Sequence, residues 1–300
     1  MIIQKSTKTS RKYSNIAIFL LILTTLLWGT TFIITRTLVQ DIPIFLYIGV
    51  RCLIALIGFT PFLIYIKRIN QKIIVFGFFS GFIYFLAMVF QTWGLQTTTA
   101  GKGGFITGLS TVIVPFFAYI FFKKDLNKKI FISVGLSVIG MAFLLLEGEK
   151  GIIIGDWLVL GCAFLFAYFI VVNDKYVRLV DVYLYSIVQM TVVTVLSFSF
   201  SFFLNESYNL FSIDPFWPFL LIMIYMGIGV STSTFLFQNW SQQHINPSMT
   251  AIIFTLEPVF AVLFGILLGN ETLTLFGWFG CGLIFIAIFY AAYKVNVEII

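Results

Sequence analysis

Ten apolar stretches, each about as long as a bilayer crossing, divide the chain: residues 16–38, 44–66, 73–96, 103–122, 130–147, 156–176, 182–204, 218–241, 247–268 and 274–293. About 30 Å of hydrocarbon at 1.5 Å per residue takes about 20 residues of α-helix. The runs have almost no polar face. As buried helices of a water-soluble protein they would leave nothing to meet the solvent. Short polar segments separate them, and the longest, NESYNLFSIDPFW at 205–217, is too short for a soluble domain. The pattern predicts an all-α integral membrane protein with ten transmembrane helices. The basic segment 1–15, MIIQKSTKTSRKYSN, leads into an apolar run of 23 residues, longer than a signal-peptide core, so the first helix is expected to be retained.

Only 10% of the residues are charged, against about 25% in ordinary globular domains, so where they fall is informative. Threading ten spans puts fourteen basic residues on one side: Lys5, Lys8, Arg11, Lys12, Lys67, Arg68, Lys72, Lys123, Lys124, Lys128, Lys129, Lys175, Arg178 and Lys294. Lys102 and Lys150 fall in loops on the other side. That excess marks the cytoplasmic face. It makes 1–15 and the tail 294–300 cytoplasmic and 148–155 an external linker, in a plasma (inner) membrane. The outer loops are acidic, through Asp41, Glu147, Glu149, Asp156, Glu206, Asp214 and Glu271. The net charge of +6 therefore reports topology, and nucleic acid is excluded as a partner.

The chain repeats itself. FQTWGLQ (90–96) ends the third span and FQNWSQQ (237–243) the eighth. The next span holds STVIVPFFA (110–118) in the first case and IFTLEPVFA (253–261) in the second. A shift of 143 residues superposes Pro115 on Pro258 and Thr107 on Thr250. LLWGTTFI (26–33) in span 1 similarly resembles FLFAYFIV (164–171) in span 6. Residues 16–147 and 156–293 are thus two copies of one five-span unit. Five is odd, so the second copy enters from the opposite face. Two inverted five-helix repeats are a pattern of secondary transporters, with the solute site near the midplane between them.

LLWGTTFI, the in-span arginine of FLYIGVRCLIAL (45–56), TTAGKGGFITGLSTVIVPFFA (98–118) and LEPVFAVLFGILLGNETLT (256–274) together resemble the EamA family of the drug/metabolite transporter superfamily. The resemblance implies ten helices, cytoplasmic termini and a central cavity lined mainly by helices 1, 3, 4, 6, 8 and 9. It also implies export or exchange of small metabolites by alternating access. Candidates for that wall are Trp28 and Thr31 from span 1, Tyr84 from span 3, and Thr107 and Thr111 from span 4, with plain packing the competing role for Trp28 and for Tyr168. Tyr168 comes from span 6, and Thr250, Phe254 and Glu257 from span 9.

Glu257 and Arg51 are charges inside spans. Glu257 lies ten residues beyond Pro247, about 15 Å deep and near the midplane. A carboxylate facing lipid there costs several kcal/mol, so it faces protein or a wet cavity, or carries a proton. Thr250, Phe254 and Glu257 share one helix face. A midplane acid that takes up and releases a proton would make protons the coupling ion. A structural, hydrogen-bonded acid is the competing role. Pro115 and Pro258 each remove a backbone donor, freeing the carbonyls of Thr111 and Phe254, and are hinge candidates or fixed packing kinks. Arg51 is expected to be a structural intramembrane charge, since the family resemblance keeps helix 2 out of the cavity wall. Arg36, at the outer end of span 1, is expected to snorkel to water.

Other motifs fail on inspection. AGKGG (100–104) lacks the glycine and the Ser/Thr of a phosphate-binding loop and predicts a tight turn with a helix start. The single histidine, His244, has no HExxH partner. N-P-S at 246–248 is half of a channel-type motif whose other half is missing, and Pro247 fits the first turn of a helix. Cys52, Cys162 and Cys281 have no metal-ligand spacing and suit packing. No catalytic residue, metal or cofactor is called for. The sequence predicts a secondary active transporter, exporter or exchanger, of small organic metabolites such as amino acids or drug-like solutes. Its partners are that solute, the bilayer and protons, and no oligomeric state is implied. A channel-like facilitator, or a non-transporting membrane assembly or lipid-interacting protein, is the alternative.

Overall fold

A computed structural model describes the backbone of residues 2–65, 70–122, 128–145, 151–206, 210, 213–245 and 247–292, and most of their side chains from Tyr13 onward. Among these residues every regular element is helical. The order is α1 (Ile2–Leu38), α2 (Ile44–Gly58), a 3-10 turn (Thr60–Tyr65), α3 (Gln71–Leu95), α4 (Ala100–Gly108), α5 (Ser110–Phe122), α6 (Lys128–Leu145) and α7 (Ile154–Val177). Then follow α8 (Val182–Phe203), α9 (Phe216–Ile224), a π-helical segment (Tyr225–Thr232), α10 (Ser233–Gln242), α11 (Pro247–Phe254), α12 (Glu257–Gly269) and α13 (Leu275–Ala292).

Six segments among the described residues are long and apolar enough to cross a membrane: Tyr13–Leu38, Gln71–Leu95, Ala100–Phe121, Ile154–Val177, Val182–Phe203 and Phe216–Gln242. Ile44–Gly58, Glu257–Gly269 and Leu275–Ala287 are shorter apolar helices. The apolar runs and the helices differ for local reasons. The run 44–66 leaves α-helix at Gly58 and passes into the 3-10 turn that holds Pro61. The run 247–268 breaks at Thr255 and Leu256, just ahead of Pro258. Ala100–Phe121 is two helices, parted at Leu109. Caps fix the starts. The Asn70 side chain accepts from the Lys72 N–H, the Thr99 hydroxyl from the Lys102 N–H, and the Asp181 carboxylate from the Tyr183 and Leu184 N–H groups.

The main helix packings all join one half of the chain to the other. α3 lies along α7 and α8, α2 along α8, α1 along α10 and α12, α4 along α12, and α6 along α13. The halves therefore do not fold as two side-by-side units; they interleave around a common centre. The α4–α12 joint depends on glycine. A Cβ on Gly104 would stand 2.2 Å from the Ala261 Cβ, and one on Gly108 2.3 Å from the Pro258 Cγ. Only a bare backbone permits that approach, as at close helix crossings in membranes.

Polarity is inverted relative to a water-soluble bundle. Phe19, Phe78, Trp157, Phe202, Phe203, Leu267 and Leu275 are exposed. Asn173, Ser186, Gln189, Asn239, Ser241 and Gln242 are buried. An apolar exterior on this scale suits lipid and would aggregate in water.

Candidate functional site

A cavity opens where the broken helices meet. Its wall is Trp28 and Thr31 of α1, Arg51 of α2, Tyr84, Met88 and Gln91 of α3, Thr107 of α4, Ser110 of α5, Phe166, Phe169 and Ile170 of α7, Gln238 of α10, Phe254 of α11 and Glu257 of α12. The room it leaves for the centres of water-sized guests is about 30 Å³. One water needs ~10–15 Å³ on that measure, so two or three waters fill the space and no metabolite fits without movement of the helices.

Glu257 is buried and begins α12. The first N–H groups of a helix have no partners within it and carry partial positive charge, so an acid in this turn is favoured over one in mid-helix. Arg51 enters the same cavity from α2, and Tyr84 lines it from α3. No ion pair joins Arg51 to Glu257 among the described residues. An acid and a base thus line one small space with no ion pair between them.

The π-helical segment aims Arg51. The hydroxyls of Ser231 and Ser233 donate to carbonyls five residues back, on Met226 at 2.9 Å and Ile228 at 3.3 Å, and Thr232 Oγ1 lies 3.3 Å from the Gly227 carbonyl. The widened turn lets Ser231 Oγ accept from Arg51 Nε at 2.9 Å, while Thr232 Oγ1 donates to the Ala55 carbonyl at 2.8 Å. π-turns within α-helices often mark functional sites.

Aromatic and hydroxyl groups set the rest of the wall. Trp28 Nε1 donates to Thr234 Oγ1 at 3.0 Å, and its ring packs on Phe254 at 5.0 Å between centroids. Thr31 Oγ1 donates to the Trp28 carbonyl at 2.7 Å. The Tyr84 ring meets Phe235 edge-on at 4.6 Å and leans on Phe169 at 5.2 Å. Gln91 Nε2 donates to Thr107 Oγ1 at 3.3 Å.

Of the residues expected from sequence, Trp28, Thr31, Tyr84, Thr107, Phe254 and Glu257 come together in this wall. Thr111, Tyr168 and Thr250 lie outside it. Thr111 Oγ1 donates to the Gly108 carbonyl at 2.8 Å, one turn past the break. Tyr168 packs among Phe79, Phe117 and Phe121. Thr250 is buried in α11. Pro258 sits in the first turn of α12, directly after its break, whereas Pro115 is inside α5, beyond the break at Leu109. Arg51 is in the wall although the family resemblance placed helix 2 outside it. Arg36 reaches Glu271 at 3.2 Å instead of water alone. Among the described residues no group of three or more His, Cys, Asp or Glu could hold a metal ion.

Two features escaped the sequence. One is a neutral buried network. Tyr185 and Gln189 Nε2 both donate to Asn173 Oδ1 at 3.0 Å. Asn173 Nδ2 donates to Asn239 Oδ1 at 2.8 Å, and Asn239 Nδ2 to Ser186 Oγ at 2.8 Å and Gln189 Oε1 at 2.9 Å. It ties α7, α8 and α10 together, with Ser80 of α3 joined through Tyr185 at 2.8 Å. The other is a clamp on the N-terminus of α4. Asp156 accepts from the Thr98 hydroxyl and stands 3.6 Å from Lys102 Nζ, and Glu271 accepts from backbone N–H groups of Ala100 and Gly101.

The model of the EamA-like transporter family matches the chain twice, over residues 15–146 and 153–293, and the chain belongs to that family. It is 32% identical over 275 residues to an uncharacterized transporter of Archaeoglobus fulgidus, covering 92% of this chain and 85% of the relative. It is 24% identical over 128 residues to the uncharacterized transporter YetK of Bacillus subtilis, covering 40% of this chain and 38% of the relative. A protein of known crystal structure shares the fold, with a TM-score of 0.70 at 17% identity over 91% of this chain and 96% of the other. The protein is therefore a multi-pass integral membrane transporter.

Proposed function

We propose that the protein is a secondary active transporter that exports or exchanges small organic metabolites, amino acids or drug-like solutes among them, by alternating access. The observation that carries this is Glu257, a buried acid at the broken end of a helix, facing a cavity that also holds Arg51. Ionisable groups at membrane depth that face a cavity mark solute or proton paths. Broken helices at such a site are a recurrent device of secondary transporters. The cavity is too small for a metabolite as it stands, which suits a site that opens to one side at a time.

In this reading the chain crosses the membrane ten times, as inverted five-helix halves 16–147 and 156–293. The linker 148–155 is external, the segments 1–15 and 294–300 are cytoplasmic, and the membrane is the plasma membrane. Trp28, Thr31, Tyr84, Thr107, Phe254 and Glu257 contact the solute. The segments around Pro115 and Pro258 flex as the halves rock. Glu257 exchanges a proton for the solute, and that linkage couples their movements in opposite directions.

Reconstitution tests the proposal. Purified protein in liposomes preloaded with an unlabelled metabolite mixture should drive saturable counterflow of at least one labelled member. Turnover should stay below about 10³ per second, because whole-helix rearrangements take microseconds to seconds. Faster, non-saturating flux would identify a channel. No flux of any metabolite in either direction would favour a non-transporting membrane protein.

A further inference from the structure

α10 carries a run of polar side chains, and nearly all of them are committed to other parts of the protein. Thr234 Oγ1 accepts from Trp28. Asn239 is bonded at both ends of its amide, to Asn173, Ser186 and Gln189. Ser241 Oγ donates to the Ala17 carbonyl at 3.2 Å, and Gln242 accepts from Asn173 and donates to the Ile170 carbonyl. Gln238 is the exception. It is 1% exposed, lines the cavity, and its amide nitrogen has no hydrogen-bond partner. Leaving a buried donor unpaired is costly, so such groups are rare and call for a partner.

The repeat sharpens the point. Gln91 and Gln238 are the second residues of FQTWGLQ and FQNWSQQ, and both line the cavity. Gln91 spends its amide on Thr107 of its own half. Its counterpart Gln238 does not: its amide nitrogen is buried without a partner, in a side chain that lines the cavity.

We infer that Gln238 is a solute-contacting residue, and that its amide donor requires an acceptor oxygen on the transported solute. This deepens the transport reading and rests on it. Sites built to donate to a substrate oxygen discriminate strongly against analogues that lack it, because the site's donor is then left unpaired.

The test uses solute pairs that differ by a carboxylate, an acceptor that also carries a charge: L-leucine with 3-methylbutylamine, and L-tyrosine with tyramine. Binding to the full-length protein in detergent is read by thermal stabilisation, and transport by counterflow. Wild type should favour the carboxyl-bearing member by roughly tenfold or more, and Gln238→Leu should bring that ratio toward one. Gln238→Asn, which withdraws the donor by one methylene, should fall between them. Without solute, Gln238→Leu should unfold little lower than wild type, because the amide nitrogen makes no bond within the protein. A wild-type ratio preserved in Gln238→Leu would overturn the inference while leaving transport standing, and would assign the amide to a water. No binding or flux of any member by wild type would overturn both.

Discussion

Glu271 holds the first turn of α4: its Oε1 accepts from the Ala100 N–H at 2.7 Å and its Oε2 from the Gly101 N–H at 2.9 Å. These donors are the orphan groups of a helix N-terminus, and a carboxylate there is favoured by charge as well as geometry. Arg36 of α1 reaches the same carboxylate at 3.2 Å. One side chain from the loop after α12 thereby pins two helices of the other half. Glu271→Ala should lower the unfolding temperature in detergent, by a loss of about 1.5–3 kcal/mol for hydrogen bonds to a charged group. Glu271→Gln, which keeps one acceptor, should cost less. Arg36→Gln should cost least, since the arginine is partly exposed and its ion pair is screened. Equal unfolding temperatures for wild type and Glu271→Ala would show the clamp to be dispensable.

The buried amide network predicts a second ranking. Asn173→Leu removes the acceptor of both Tyr185 and Gln189 and the donor to Asn239. Each buried group left without a partner costs about 1–3 kcal/mol, though hydrogen bonds between membrane helices average nearer 0.6 kcal/mol. Asn173→Leu should therefore destabilise by about 2 kcal/mol, well beyond Thr191→Val, which loses only an exposed bond to the carbonyl of Ile187. Thermal unfolding of the two purified variants, side by side, gives the answer.

The glycine joint predicts a specific rescue. Gly104→Ala drives a methyl into Ala261, and should leave the protein poorly folded or unable to transport. Removing the opposing methyl with Ala261→Gly should restore folding, as judged by monodisperse elution in detergent. Ala261→Gly alone should be tolerated, at about 1 kcal/mol for glycine within a helix. Failure of the pair to recover would mean that Gly104 is needed for something other than the close approach.

Topology is open to a direct check. In a background lacking Cys52, Cys162 and Cys281, single cysteines in 148–155 and 205–217 should react with an impermeant thiol reagent added to whole cells. Cysteines in 67–72 and 123–129 should react only after lysis. Reaction of both basic loops in intact cells would reverse the orientation.

The helical class was legible because long apolar runs have few other uses, and because the basic residues crowd one set of loops. Glu257 was legible because a carboxylate in an apolar run is conspicuous. Tyr168 and Thr111 show the limit. Aromatic and hydroxyl residues pack lipid-facing and cavity-facing surfaces alike, and a helical face read from one end loses its register at a break such as Leu109. Arg51 was visible as an intramembrane charge, but its place in the wall depends on the π-helical segment, for which Tyr225–Thr232 carries no sequence signal. Gln91 and Gln238 stood in plain view as marks of the repeat. What separates them is whether their donors find a partner, and that is a matter of distances.

Glu257 decides the central claim. Glu257→Gln keeps the shape of the side chain and fixes it in a neutral form, so proton exchange at that position stops. In proteoliposomes, with whichever labelled metabolite the wild-type protein carries, the variant should retain reduced solute–solute counterflow. It should lose accumulation driven by an imposed pH gradient, and its rate should no longer vary with pH across the range where wild type does. Accumulation by Glu257→Gln with the wild-type pH profile would contradict the claim and return Glu257 to a structural role.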